Sequence, residues 1–114
     1  LPLLSYNIRL SGIEVLTGTH LDIAWEDMPI KVCTHYVDKK GTVVPYQPGL
    51  AYQKDVTPKY IELPGWDGEK VRKAKLFKQL PGNAKNFLAF LQLRLGTPII
   101  AVTTGPARNN YLEI

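Results

Sequence analysis

A chain of 114 residues with 45% apolar side chains can bury one modest core, or supply part of a larger one. Its single cysteine, Cys33, excludes an intramolecular disulfide and fits a reducing, cytoplasmic setting. Net charge is +4, no apolar run approaches the ~20 residues of a membrane span, and Leu1-Pro2-Leu3-Leu4 lacks the length and basic start of a signal peptide.

The chain opens on Leu rather than Met, so a processed chain or a fragment is expected. Leu3, Leu4 and Ile8 share a helical face, with Pro2 near its start and Gly12 just past its end, which predicts a short helix over 2–10. Ile13 to Asp22 reads as a strand rich in β-branched residues, and Gly18 within it points to close approach by another group. From Pro29 to Val37 the pattern alternates: Ile30, Val32, Thr34 and Tyr36 fall on one face, Lys31, Cys33 and His35 on the other. That is a half-buried antiparallel strand. Asp38-Lys39-Lys40-Gly41 turns it into a return strand, Thr42 to Tyr46, marked as an edge by Pro45 and Pro48. Cys33 and His35 are read as packing residues, because nothing nearby completes the three or four ligands a metal needs.

Gln47 to Pro58 is expected to be irregular, and Lys59 to Trp66 a short strand broken at Pro64-Gly65. Much of the positive charge follows, at Lys70, Arg72, Lys73, Lys75 and Lys78. This is either a phosphate or nucleic-acid patch or a solvated face. No aromatic residue interleaves it as a base-stacking surface requires, so the solvated face is preferred and Phe77 is expected to anchor in the core. Leu80-Pro81-Gly82-Asn83 opens a helix whose Ala84, Phe87, Leu88, Leu91 and Leu95 form one apolar face, capped by Gly96. It feeds Ile99, Ile100 and Val102, a strand expected to be buried on both faces, and then the turn Thr103-Thr104-Gly105-Pro106. The fold class is α/β with a mixed sheet: buried strands, an antiparallel hairpin excursion and one long amphipathic helix, all in a single domain over 1–114. There is no phosphate loop, nucleophile elbow or kinase motif, so these residues carry no catalytic group of their own and no metal site.

Thr19-His20-Leu21-Asp22 and Thr103-Thr104-Gly105-Pro106 each end a strand. In open α/β sheets ligands bind outside the carboxyl ends of strands. If the two strands are neighbours, the loops share one edge. Gly105 and Pro106 then suit a planar ring, and Asp22 could accept from both N1–H and the exocyclic amine of guanine, a donor pair that adenine lacks. On spacing alone the ordinary reading is preferred: Asp22 as a turn or cap residue, and the second loop as a plain turn after a core strand.

Four stretches carry a family resemblance: Leu16-Thr17-Gly18-Thr19-His20-Leu21-Asp22, Tyr60-Ile61-Glu62-Leu63-Pro64-Gly65-Trp66, Leu80-Pro81-Gly82-Asn83-Ala84-Lys85-Asn86-Phe87, and Gly96 to Arg108. In order and spacing the chain resembles the carboxyl-terminal part of adenylosuccinate synthetase over nearly its whole length. The resemblance implies a cytoplasmic, homodimeric, Mg2+-requiring ligase that phosphorylates the 6-oxygen of IMP with GTP and displaces the phosphate with the amine of aspartate. It implies that His20, Leu21 and Asp22, with Thr103, Thr104, Gly105 and Pro106, hold the guanine base of GTP. On that correspondence Asp22 reads the base edge, His20 and Pro106 flank the ring, and residues 103–105 line its rim. Two departures stand out. The family's lysine is His20 here, which opens an alternative: a phage-type relative acting on deoxyguanylate with an adenine nucleotide as donor, although Asp22 favours guanine. The family's Gly-Asp-Glu-Gly-Lys-Gly loop, its catalytic aspartate and histidine, and its aspartate-binding loop are absent from these residues, so the chemistry and the Mg2+ are expected on sequence outside them. A stand-alone basic module binding nucleic acid through residues 70–78 is the remaining alternative, and nucleic acid is not the expected partner.

Overall fold

Pro2, with its preset φ and no N–H to satisfy, starts helix α1 (Pro2–Ser11), and Gly12 ends it in the left-handed conformation (φ 65°). The expected short helix is therefore present, one residue longer than the pattern indicates. The computed structural model describes the backbone of residues 1–114 and the side chains of all of them except Leu50, Ala51 and Gln53. After α1 come β1 (Leu16–Gly18), β2 (Ile30–Val37), β3 (Val43–Val44), α2 (Leu50–Asp55), β4 (Thr57–Leu63), α3 (Gly68–Lys73), a 3-10 turn (Phe77–Gln79), α4 (Gly82–Leu95), β5 (Ile99–Thr103) and β6 (Tyr111–Glu113).

The strand expected over Ile13–Asp22 survives only as the three residues of β1. It stops because the His20 N–H leaves the ladder for a side chain, Thr103 Oγ1, and His20 itself takes φ 58°. The hairpin is present: β2 pairs antiparallel with β3 at Tyr36–Val44 and Val37–Val43, and the Asp38 carboxylate accepts from the Lys40 and Thr42 N–H groups to close the turn. β3 is an edge in the order β3-β2-β4, as Pro45 and Pro48 indicate. The stretch expected to be irregular between Gln47 and Pro58 instead holds α2 and the start of β4.

The chain groups into two compact units. One comprises Leu1–Gly12 and Lys31–Glu62, the other Ile13–Ile30 and Leu63–Ile114. In the first, Tyr6, Tyr36, Tyr46 and Tyr52 form an aromatic cluster with ring centroids 5.3–6.2 Å apart. Burial, and then the neighbouring Cys33 thiol, push the Tyr36 hydroxyl above its usual pKa.

The second unit carries a mixed sheet, β1-β5-β6, with β1 parallel to β5 and β6 antiparallel to it. α4 covers this sheet with Ala84 and Leu88, both buried, while Phe87 and Leu91 pack at the rim of the same core. Trp66, Val71, Leu80, Ile99, Val102 and Leu112 complete it, and each large apolar side chain so buried contributes on the order of 1.5–3 kcal/mol. Gly18 marks a close approach: a Cβ there would lie 3.1 Å from Val102 Cγ1, which would have to give way by a few tenths of an ångström. Phe77 packs against the core as expected. β5 is less enclosed than its composition suggests, because Ile100 is 47% exposed while Ile99, Ala101 and Val102 are buried. A run of apolar residues cannot report that Ile100 alone is open, since every position in it is equally apolar.

Candidate functional site

Because β1 and β5 run parallel, with Gly18 opposite Val102, the segments that leave their carboxyl ends emerge side by side. Thr103 joins them. Its Oγ1 accepts from the His20 N–H (3.0 Å) and its carbonyl from the Leu21 N–H (3.3 Å). The turn closes when the Ile23 N–H donates to the His20 carbonyl (3.2 Å). Held this way, the turn alternates sharply: Thr19, His20 and Ile23 are exposed, Leu21 and Asp22 buried.

A strap made by residues 65–68 presses on this turn. Trp66, itself buried against Phe87, donates its indole Nε1–H to the Leu21 carbonyl at 2.8 Å. A Cβ at Gly68 would collide with the Asp22 carbonyl, and one at Gly65 with the carbonyls of Trp25 and Met28. Asn83, at the start of α4, donates to the Gly65 carbonyl (2.9 Å) and fixes the strap from behind. The Leu63-Pro64-Gly65-Trp66-Asp67-Gly68 sequence thus has a mechanical reason: two backbone runs touch, and only glycine fits between them.

Asp67 ends the strap and caps α3, accepting from the Glu69 N–H at 2.9 Å. One helical turn then sets Glu69 and Arg72 on the same side. The Arg72 guanidinium bridges two carboxylates: Nε donates to Asp22 Oδ2 (3.0 Å) and Nη1 to Glu69. These contacts, Asp22 foremost, raise the Arg72 pKa above its ordinary value. The Asp22 side chain is only 8% exposed, so it needs this partner, since a buried carboxylate without one is costly. The lysines of the basic stretch, Lys70, Lys73, Lys75 and Lys78, are exposed.

The second loop holds itself together. The Thr104 N–H donates to the Asn110 carbonyl (2.8 Å), the Asn110 N–H to the Ala107 carbonyl (3.0 Å), and the Ala107 N–H to Asn110 Oδ1 (3.0 Å). Gly105 lets the Asn110 side chain lie against the backbone, for a Cβ would sit 2.7 Å from its Oδ1. Thr104 is buried, at 1% exposure, and its hydroxyl oxygen has no partner. Pro106 is exposed.

Two cavities flank the first turn. One, of about 510 Å³, is mainly apolar and is lined by His20, Leu21, Trp25, Met28, Trp66 and Phe87 among others. The other, of about 670 Å³, is lined by Asp22, Trp25, Glu26, Asp27, Glu69 and Arg72 among others, so carboxylates outnumber its one cation. So Thr103 meets His20 and Leu21, but Asp22 lines a different cavity from those two, and Thr103, Thr104, Gly105 and Pro106 line neither. Thr104 faces inward. Among the described residues, no group of three or more His, Cys, Asp or Glu converges on a point where a metal could sit. The Cys33 thiol and His35 ring are engaged locally, with the His35 carbonyl (3.6 Å) and Thr34 Oγ1 (2.9 Å).

Sequence reasoning missed Arg72, Trp66, Gly68 and Asn110 as parts of this site. Asp67-Gly68-Glu69 is a legible helix start. The partnership of Asp22 with a cation 50 residues away is not.

The family model for adenylosuccinate synthetase matches residues 1–112. The adenylosuccinate synthetase of Solibacter usitatus is 37% identical over 111 residues, covering 97% of this chain and 25% of the relative. That of Methanosarcina barkeri is 37% identical over 109 residues, covering 95% and 25%. The structure of fully ligated adenylosuccinate synthetase from Plasmodium falciparum superposes with a TM-score of 0.89 at 26% identity, over 99% of this chain and 27% of that one. The chain therefore spans about a quarter of the length of the relatives it matches. With the family model covering nearly every residue and the fold shared, the chain belongs to the adenylosuccinate synthetase family.

Proposed function

We propose that these residues are the carboxyl-terminal, guanine-binding part of an enzyme that joins aspartate to IMP at the expense of GTP, forming adenylosuccinate. The observation that carries the reading is the pair of bonds from His20 and Leu21 to Thr103. They tie together the two segments that the resemblance assigns to the base, at the sheet edge where α/β folds place ligands. Asp22 supplies the selectivity: its carboxylate matches the N1–H and amine of guanine and meets no such pair on adenine. His20 presents a ring where a lysine stem is usual, suited to stacking. The phosphate-binding and reacting groups, and the Mg2+, belong to sequence beyond these residues, and the whole enzyme is a homodimer.

The test is the nucleotide preference of the full-length chain. Asp22→Asn is expected to collapse the GTP-over-ATP ratio in kcat/KM by at least tenfold, the scale set by leaving buried polar groups unpaired. An unchanged ratio overturns the role of Asp22. A second reading, a relative that takes an adenine nucleotide as donor and deoxyguanylate as acceptor, is favoured by one observation: Asp22 is engaged by Arg72 and lines a cavity apart from His20. Under that reading ATP supports turnover as well as GTP does, and His20→Lys shifts the ratio.

A further inference from the structure

We infer that Arg72 is the positioning residue for Asp22, and that it sets how sharply the site separates guanine from other purines. The inference deepens the guanine-binding reading and rests on it. A carboxylate reads a guanine edge with both oxygens at once, so its plane must be fixed before the base arrives. Asp22 belongs to a turn held by bonds to Thr103, to Trp66 and within itself, and none of them reaches the carboxylate. What reaches it is Arg72 Nε, on Oδ2, at 3.0 Å. An ionised carboxylate offers about four lone-pair sites. Arg72 takes one, and Oδ1 accepts from no protein group among the described residues, so the pair leaves room for a two-point partner.

Arg72 is itself fixed from two sides. Asp67 caps α3 through the Glu69 N–H, and Glu69 holds the other end of the guanidinium. Glu69 also offsets the positive charge, so Asp22 is held without an unbalanced cation facing the donors of an incoming base. Below the carboxylate, Gly68 packs on the Asp22 carbonyl and sets the backbone from which the side chain extends. The short segment Asp67–Arg72 therefore acts as one bracket: a cap, a backbone contact, a brace and a clamp. A lysine in place of Arg72 would supply charge without the rigid pair of donors that holds Asp22 and Glu69 at once.

The experiment uses the full-length chain and GTP, ITP and ATP as donors. ITP lacks the exocyclic amine and so reports whether both carboxylate oxygens are in register. Arg72→Met is expected to raise KM for GTP about tenfold, with the loss falling on KM rather than kcat, to raise KM for ITP less, and to leave KM for ATP unmoved. Arg72→Lys should recover part of the loss. In the Asp22→Asn background, Arg72→Met should cost nothing further in nucleotide preference. If Arg72→Met keeps the wild-type GTP-to-ATP ratio while Asp22→Asn abolishes it, the positioning role is overturned and the guanine reading stands. If Asp22→Asn itself leaves the ratio intact, the guanine reading fails and takes this inference with it. Should Arg72→Met lose its fold, Arg72→Lys decides: a displaced ratio with an unchanged melting curve supports the role, and a wild-type ratio overturns it.

Discussion

The turn at Thr19–Asp22 and the loop at Thr103–Asn110 sit at the same sheet edge and are built on opposite principles. The first is held from outside. Thr103, Trp66, Gly68 and Arg72 grip its backbone and its one buried charge, and they come from three different elements. The second is held from inside, by a ring of bonds among Thr104, Ala107 and Asn110. An externally held turn inherits its shape from the core, so damage to its partners is damage to the turn. An internally held loop is insulated from most changes elsewhere.

Gly68→Ala attacks the external grip hardest. The new methyl meets the Asp22 carbonyl, a backbone atom that cannot swing away, so the strap and turn must separate. A loss of about 3 kcal/mol or more is expected, read as a lowered melting temperature of the full-length chain. The same change at Gly105 meets only the Asn110 side chain and should be milder. Trp66→Phe tests the grip more selectively. It keeps an aromatic ring beside Phe87 but removes the indole donor, leaving the Leu21 carbonyl unpaired in a buried setting. A cost of about 1–3 kcal/mol is expected, with faster hydrogen exchange at the Leu21 amide than in the wild type. Retained protection there would show that Thr103 alone fixes the turn.

Thr104→Val probes the loop with the smallest effect. The Thr104 hydroxyl is buried without a partner, so replacing it by a methyl of similar shape removes a desolvated polar group and breaks no bond. Stability should be unchanged or higher by up to about 1 kcal/mol. A clear loss would mean that the hydroxyl has a partner after all, and the loop would then also be held from outside.

The same division explains what the sequence makes legible. α4 is readable residue by residue, because Ala84, Leu88 and their stripe repeat at helical spacing and Gly96 ends it with φ 65°. The 103–106 turn is readable because Gly105 and Pro106 punctuate it locally. β1 is readable only in part. Its β-branched residues run on past Gly18, but the strand ends where Thr103 captures the His20 N–H, 83 residues away. α2 escaped because Leu50–Asp55 is too short to show a period, and its N-cap, Gly49, carries no side chain to announce it. Arg72 was visible as a charge among charges, and nothing local sets it apart from its neighbouring lysines. Only a buried carboxylate in the folded chain does so. Position within the basic stretch and role within the site are separate properties, and the sequence displays only the first.

The distances in chain order between the turn and its supports also set a timetable. Trp66 lies 45 residues after Leu21, Arg72 lies 50 after Asp22, and Thr103 lies 83 after His20. At synthesis rates of roughly 5–20 residues per second, the last support follows the turn by about 4–17 s. Until Trp66 emerges the turn has none of these supports, and its Leu21, due for burial, emerges alongside Ile23, Trp25 and Met28. The newborn chain therefore shows an apolar tip before the groups that organise it exist, a stretch left open to unwanted contacts while the protein is being made.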